Sequence, residues 1–476
     1  MRETKRRLEL YSFYDRTGLE RHLERMAEKG WLLEKIGQFF WTYRRIEPKH
    51  LTFSVCYFPA ASAFDPGPSE EQQTFYDFCA HAGWILAASN AQLQVFYNER
   101  ERPVPIETDP VEEVDTIHRT MKRSFLPSQL VLLGLGVLNA ALLVLRFMDD
   151  PILVLAQSSS LFSSMCWALV FIMVAVELAG YFRWHAKAVR AAERGERCET
   201  RSRRKLQIAG LIFLAVCLVY FLASTLLSGN RFMITLTLLL LLLYVPGAFL
   251  AVNGIKRFMK GMEAPAGVNR AVTLVGSFVL LCAVLGIITA GTIFALDRGW
   301  LDGEQTTYEY QGRTYTLRRD PVPLALDDLL EGDFSRYERR RMEEQSLLLG
   351  QCAVHQWPIG PWELFPERVY LDYEVVLVKV PFLYDLCREA KLHERDDWDT
   401  GDPEYMWYGY AFAPADPAPW GAEEAYRWTD GSDARGEREN QFLLFYPDRI
   451  VNISMQWDQP PTPAQMAVVG EKLGGL

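Results

Sequence analysis

The chain has 476 residues, enough for two or three domains, and a net charge of −10. Its 49% hydrophobic content conceals a sharp segregation: Leu, Val, Ala, Ile and Phe dominate residues 128–296, while both flanks are rich in charge. The start, MRETKRRLELYSFYD, has no apolar core of signal-peptide length, and neither Arg2 nor the EKLGGL end fits a lipidation motif, so no cleaved secretion signal or lipid anchor is expected.

In chain order, TGLERHLERMAEKG places Leu19, Leu23, Met26 and Ala27 on one stripe of a helix. Gly30 suits its C′ position, where left-handed backbone favours glycine. WLLEKIG and FFWTYRRI follow as strands, then HLTFSVCYF as a third, with Phe53, Val55 and Tyr57 sharing one face as in a half-buried strand. After the linker PAASAFDPGPS, EEQQTFYDFCAHAG forms a second helix ending on Gly83, and WILAAS and QLQVFYN form strands. Helix, Gly-Trp, strand, strand is thus written twice. Aligning the two Gly-Trp pairs sets Leu23 opposite Tyr76, Met26 opposite Cys79 and Ala27 opposite Ala80. Each element has one apolar face to cover, so residues 1–127 are expected to form a two-layer α+β module of two αβ repeats. Gly30, Trp31, Trp41, Gly83 and Trp84 are its candidate structural or interaction residues. Trp31 and Trp84 read either as core where helix meets sheet, or as aromatic walls of a small-molecule or peptide groove.

The run FYDRTGLERHLERMAEKGWLLEKIGQFFWTYRRIEPKHLTFSVCYFP, followed by FYDFCAHAGWILAASNAQLQVFYNE, resembles the bacterial domain-of-unknown-function family 2812 (DUF2812), most strongly over residues 10–100. The resemblance implies a membrane protein of Gram-positive bacteria, with this module on the cytosolic side and several spans after it. It also implies a gene often placed beside a PadR-like transcription regulator, hence a role in regulating membrane or envelope state. It brings no catalytic residues.

Five stretches are long and apolar enough to cross a bilayer, at about 128–147, 160–182, 207–227, 232–252 and 271–296. Arg119, Lys122 and Arg123 precede the first. The loop after the second, within residues 183–206, holds nine Lys or Arg, and Lys256, Arg257, Lys260 and Arg270 lie between the fourth and fifth. The alternate loops, MDDP and SGN, are short and nearly free of basic residues apart from flanking Arg146 and Arg231. Lys and Arg near span ends stay cytoplasmic, so a multi-pass protein of the bacterial cell membrane is expected, N-terminus inside and C-terminus outside. The basic loop 183–206 is expected to extend span two as a charged helix. It fixes topology and is a candidate site for anionic lipid headgroups. Glu177 is the candidate intramembrane charge, read either as interfacial or as part of an ion path. Pro246-Gly247 is expected to kink span four.

From residue 297 onward the net charge is −16, against +6 before it, which disfavours nucleic acid as a partner. TTYEYQGRTYTLRRD reads as a hairpin, VYLDYEVVLVKV and ENQFLLFYPDRIVNISMQW as strands, and SRYERRRMEEQSLLL and PTPAQMAVVGEKLG as helices. Residues 297–476 are therefore expected to form an acidic extracytoplasmic α+β domain. Cys352 and Cys387 are either one disulfide in an oxidising compartment or two buried thiols. His393, Glu394, Asp396, Asp397 and Asp399 form an acidic stretch without EF-hand spacing, and no metal site, cofactor or catalytic residue is assigned. No H-E-x-x-H, G-x-S-x-G or Walker A pattern occurs.

The leading functional expectation is a non-enzymatic membrane sensor or regulator that links the outer domain to a cytosolic protein partner. The alternative is a small-solute transporter or transporter accessory subunit. Last comes an outward-facing metal-dependent enzyme using the acidic stretch.

Overall fold

The computed structural model describes residues 3–37, 40–200, 203–227, 231–298, 305–365, 369–393, 411–429, 440–457 and 459–475. Two compact units emerge: Met1–Asn139, Met165–Cys217 and Leu238–Thr289 form the first, and Ala140–Ser164, Leu218–Thr237 and Ala290–Leu476 the second.

The first unit begins with β1 (Thr4–Leu8), α1 (Arg16–Glu28), β2 (Trp31–Lys35) and β3 (Phe40–Arg45), followed by β4 (Thr52–Tyr57), α2 (Glu70–His81), β5 (Ile85–Asn90) and β6 (Leu93–Asn98). The antiparallel sheets run β1-β3-β2 and β4-β6-β5. The order is identical, so the repeat unit is strand, helix, strand, strand. Two expectations change. The opening strand TKRRL is basic and mostly exposed, so no alternation of apolar residues marks it. HLTFSVCYF opens the second repeat instead of closing the first.

Nor is that strand half-buried. On one side Phe53, Val55 and Tyr57 join Val95 and Tyr97 against Leu19, Leu23, Met26 and Ala27 of α1. On the other, Cys56 and Phe96 join Cys79 and Trp84 beneath α2. The α1 N-terminus is capped by Asp15, whose carboxylate accepts the Gly18 N–H at 3.2 Å, and α2 is capped by Ser69. Both helices stop on glycine, Gly30 at φ +78° and Gly83 at φ +88°.

The charged helix α3 (Pro110–Thr120) leads into the apolar region, which comprises α4 (Leu126–Asp149), α5 (Pro151–Ala156), α6 (Ser158–Ala192), α7 (Arg204–Leu227), α8 (Arg231–Leu239), α9 (Val245–Gly261) and α10 (Ala266–Asp297). Among the described residues five helical stretches are long and apolar enough to cross a membrane: Pro110–Asp149, Ser158–Ala192, Arg204–Leu226, Ile234–Gly261 and Ala266–Ala295. Wide π turns join α3 to α4 at Met121–Phe125 and α8 to α9 at Leu240–Tyr244. Each ends two residues before a proline, Pro127 or Pro246. A proline ring collides with the carbonyl four residues back and offers no N–H, and a widened turn relieves both problems. α6 carries ten residues beyond its apolar part before Gly195, at φ +74°, turns the chain away.

In the second unit, β7 (Gln305–Tyr310) and β8 (Arg313–Arg318) form a hairpin whose Gln311 and Gly312 both have positive φ, the demand of a tight primed turn. Then come α11 (Leu326–Leu329), β9 (Tyr337–Gln345), β10 (Leu349–Pro358), β11 (Tyr370–Val378), α12 (Tyr384–His393), β12 (Ala411–Ala415), β13 (Glu424–Thr429), β14 (Asn440–Phe445), β15 (Arg449–Gln456) and α13 (Pro463–Leu473). The antiparallel sheet runs β12-β13-β14-β15-β11-β10-β9. One face packs Leu371, Tyr373, Leu444 and Ile453 against Trp420, Val469 and Leu473. The other packs Val376, Leu443, Phe445 and Ile450 against Cys387 of α12 and against Ile152 and Ala156 of α5.

Residues 335–349, expected as a helix, supply strand β9 instead. It lies at the sheet edge, where charge on both faces is tolerated and guards against pairing with another chain. Arg341 there pairs with Glu343 at 2.7 Å, and its N–H donates to Asp320 at 2.9 Å. The Cys352–Cys387 bridge is not formed: both thiols are free, and they pack in different cores.

Left-handed backbone costs an L-residue about 1–2 kcal/mol. A Cβ at Gly30 would also sit 2.8 Å from the Ile46 carbonyl oxygen, whereas at Gly83 the nearest atom is 3.5 Å away. Gly30→Ala is therefore expected to lower the thermal midpoint of the full chain more than Gly83→Ala; equal losses would remove the Ile46 carbonyl from the argument.

Candidate functional site

The link between β1 and α1, Glu9 to Asp15, sends nearly every side chain to a different partner. Glu9 has no exposed side-chain surface. Its carboxylate accepts from His22 Nε2 and Tyr43 Oη, each at 3.1 Å, and lies 3.4 Å from Arg7 and Arg204. Burial opposes its charge, but the hydrogen bond and charge of His22, then Arg7 and Tyr43, outweigh it and hold Glu9 below the usual carboxylate range.

With that anchor set, Ser12 donates to the Glu177 carboxylate of α6 at 3.0 Å. Phe13 stacks on Phe125, the last residue of the first π turn, 5.6 Å between centroids. Tyr14 stacks on Trp184 at 5.5 Å and meets the edge of Tyr181 at 5.7 Å. Asp15 accepts from Thr200, in the loop after α6, at 2.6 Å. Ile117, Met121 and Tyr181 thereby share one core with the strand repeat.

A second connection is electrostatic. The buried Arg16 guanidinium meets Glu20 at 3.0 Å, Glu107 at 2.8 Å and Glu113 of α3 at 2.7 Å. Arg197 reaches Glu113 at 3.4 Å and donates to the Glu107 carbonyl. Burial pushes the Glu107 carboxyl up to about 7, opposed by Arg16 and reinforced by Glu113 and Glu20.

A third connection comes from the linker. Phe64 lies under two cations, Lys256 of α9 at 5.2 Å and Arg270 of α10 at 5.6 Å. Its carbonyl accepts from Asn269 at 2.8 Å. A fourth joins the β5–β6 turn to the first π turn, where Gln92 donates to Ser124 at 2.8 Å. Sequence reasoning missed Phe64, Asn269 and the Arg16 cluster. A lone aromatic in a Pro- and Gly-containing segment was the available signal for Phe64.

Among the described residues, clefts of this unit include a pair built on α1, α6 and α7. One, of about 550 Å³, is lined by Tyr11, Arg21, His22, Glu24, Arg25 and Arg204 among others, with charges of both signs. The other, of about 580 Å³, lies between α6 and the start of α7.

Of the residues singled out from sequence, Glu177 is at the junction. Trp41 is buried in the main core and faces Tyr11 at 5.7 Å. Trp84 is buried in the α2 core, its Nε1–H donating to the Val104 carbonyl at 2.9 Å. Trp31 is half-buried beneath Lys5 and Arg45. Trp31 and Trp84 serve different cores. Gly30 and Gly83 act through backbone conformation. α12 ends at His393, and Glu394, Asp396, Asp397 and Asp399 lie outside the described residues. Among the described residues no group of three or more His, Cys, Asp or Glu is arranged to hold a metal ion.

A family model described as "Protein of unknown function (DUF2812)" matches residues 17–128, from the start of α1 to the first turn of α4. Comparison with curated proteins and with solved structures gave no match.

The raised Glu107 carboxyl sets a pH dependence. Between its unfolded value near 4.5 and its folded value near 7, the folded chain holds a proton that the unfolded chain releases, so stability falls as pH rises through that window. Glu107→Gln removes the effect and is expected to gain about 1–3 kcal/mol on the wild type between pH 5 and pH 8. Thermal midpoints of the two proteins at both pH values measure it; a constant difference would contradict the assignment.

Proposed function

We propose that this chain, in which residues 17–128 are a DUF2812 module, is a multi-pass membrane protein that works as a relay. It carries no chemistry of its own and passes a condition met by residues 297–476 to a cytosolic protein bound by the N-terminal module. The observation behind this reading is that one helix hairpin is buried at both ends. At one end α3, the π turn and α6 give Ile117, Met121 and Tyr181 to the core of the repeat. At the other, α5 between α4 and α6 gives Ile152 and Ala156 to the core of the seven-stranded sheet. Ser346 Oγ also donates to the Leu155 carbonyl at 2.6 Å. Close-packed interiors transmit displacement, so a shift of the hairpin at one end disturbs contacts at the other.

Orientation belongs to the same proposal, with the N-terminus cytoplasmic and the C-terminus outside. The helix ends grouped with the repeat are those carrying Arg119, Lys122, Arg123, the nine cations of 183–206, and Lys256, Arg257, Lys260 and Arg270. Exposed Phe78 on α2 with Ile85 and Leu86 on the adjoining β5 supports a protein partner for the module. Engagement of Glu177 by Ser12 favours a mechanical role for that carboxylate over a place in an ion path.

Hydrogen exchange on the full chain in detergent tests the relay. Ile152→Ala, and the milder Ser346→Ala, are expected to speed exchange at residues 9–20 and 110–125. Protection there unchanged by both variants would refute it. Reporter fusions at the C-terminus test the orientation, with a cytoplasmic signal as the contrary result.

A further inference from the structure

Of the nine cations in residues 183–206, several are already committed. Arg197 engages Glu113, Arg204 engages Glu9, and Arg203 donates its Nη1 to the Val176 carbonyl at 2.6 Å. Arg203 is held there by the absence of a side chain at Gly180, where a Cβ would lie 2.3 Å from its Cζ. Arg183 and Lys205 are exposed and have no ion-pair partner among the described residues.

Arg183, Arg203 and Lys205 together rim the cleft of about 580 Å³ between α6 and α7, whose floor is Ala175, Val176, Ala179 and Leu206. Ala175 and Ala179, one turn apart, leave a shallow apolar furrow along α6. Three cations above a furrow that runs into an apolar helix match a negatively charged head on a hydrocarbon tail. Glu177, the one carboxylate of α6, accepts from Ser12 and also attracts Arg203, so Arg183 and Lys205 carry most of the cleft's free charge.

We propose that this cleft binds one anionic glycerophospholipid, its phosphate between Arg183, Arg203 and Lys205 and an acyl chain over Ala175 and Ala179. The site requires that α6 and α7 cross a bilayer but does not depend on the relay. Arg203 supplies a fixed guanidinium for the phosphate oxygens, and Arg183 and Lys205 close on it from the two helices. Through Arg203 the lipid would touch the helix turn that carries Glu177, and so the Ser12 contact of the N-terminal module.

The test uses the full chain in neutral detergent, with thermal midpoint and native mass spectrometry as readouts. Phosphatidylglycerol, phosphatidylcholine and inorganic phosphate are the three additions. Phosphatidylglycerol alone is expected to raise the midpoint and to survive as a one-lipid adduct. Arg183→Ala with Lys205→Ala should weaken that adduct about thirty-fold, at about 1 kcal/mol for each surface cation. Ala179→Phe should abolish it by filling the furrow while leaving every charge in place. Lys187→Ala with Arg190→Ala removes the same charge from α6 outside the cleft and should leave the adduct intact. Equal weakening by the two double variants would reduce the effect to general attraction and overturn the site. Protection by inorganic phosphate equal to that by phosphatidylglycerol would overturn the lipid, as would adducts of phosphatidylcholine at the same level.

Discussion

A carboxylate with no access to water must be met inside the protein, and the arrangement around Glu9 follows from that requirement. Its partners come from four places: β1 through Arg7, α1 through His22, β3 through Tyr43 and the start of α7 through Arg204. Satisfying one side chain thus fixes the first repeat relative to an apolar helix of the same unit. The residues that follow inherit that geometry. Ser12, Phe13, Tyr14 and Asp15 reach α6, the first π turn, Trp184 and Thr200 because the chain leaves Glu9 in a set direction.

The two repeats share a topology yet do different work, and burial explains the difference. The β4-β6-β5 sheet lies between α1 and α2, so β4 and β6 are buried on both faces, with 0% exposure at Val55 and Val95 on one and at Gln94 on the other. The β1-β3-β2 sheet lacks a second cover and keeps charge on its outer side, with Lys5 and Arg45 over Trp31. That asymmetry accounts for the unequal fates of the paired tryptophans. Trp84 finds a backbone carbonyl for its indole N–H inside a closed core, whereas Trp31 covers an open sheet under cations.

What was legible in the sequence is what short-range physics dictates. Gly30 and Gly83 announced left-handed helix ends, Gln311-Gly312 announced a hairpin, and the five apolar stretches announced helices long enough to span. What was illegible depends on partners far along the chain. TKRRL becomes a strand because Phe40–Arg45 pairs with it, and YERRRMEEQ becomes an edge strand because β10 does. Its Arg and Glu residues have good helix propensity, which the sheet overrides. At the junction, Glu177 could be singled out as a charge in an apolar run, but nothing near it in sequence points to Ser12, 165 residues away. Arg16 likewise gave no sign of the three carboxylates that converge on it.

The α5 link shows how a local rule can force a distant contact. The first long apolar helix, α4, ends at Asp149. Asp150 then caps a new helix, accepting the Leu153 N–H at 2.8 Å, with Pro151 at its first position. The side chains that follow, Ile152, Val154 and Ala156, are apolar but lie between two acids and a run of serines. They are too few to span a bilayer. Covering a side chain such as Ile152 with protein is worth about 1.5–3 kcal/mol. Leu349, Val376, Phe445 and Ile450 of the seven-stranded sheet do so. A turn that looked like a bare connection between two long apolar helices is therefore part of a domain core.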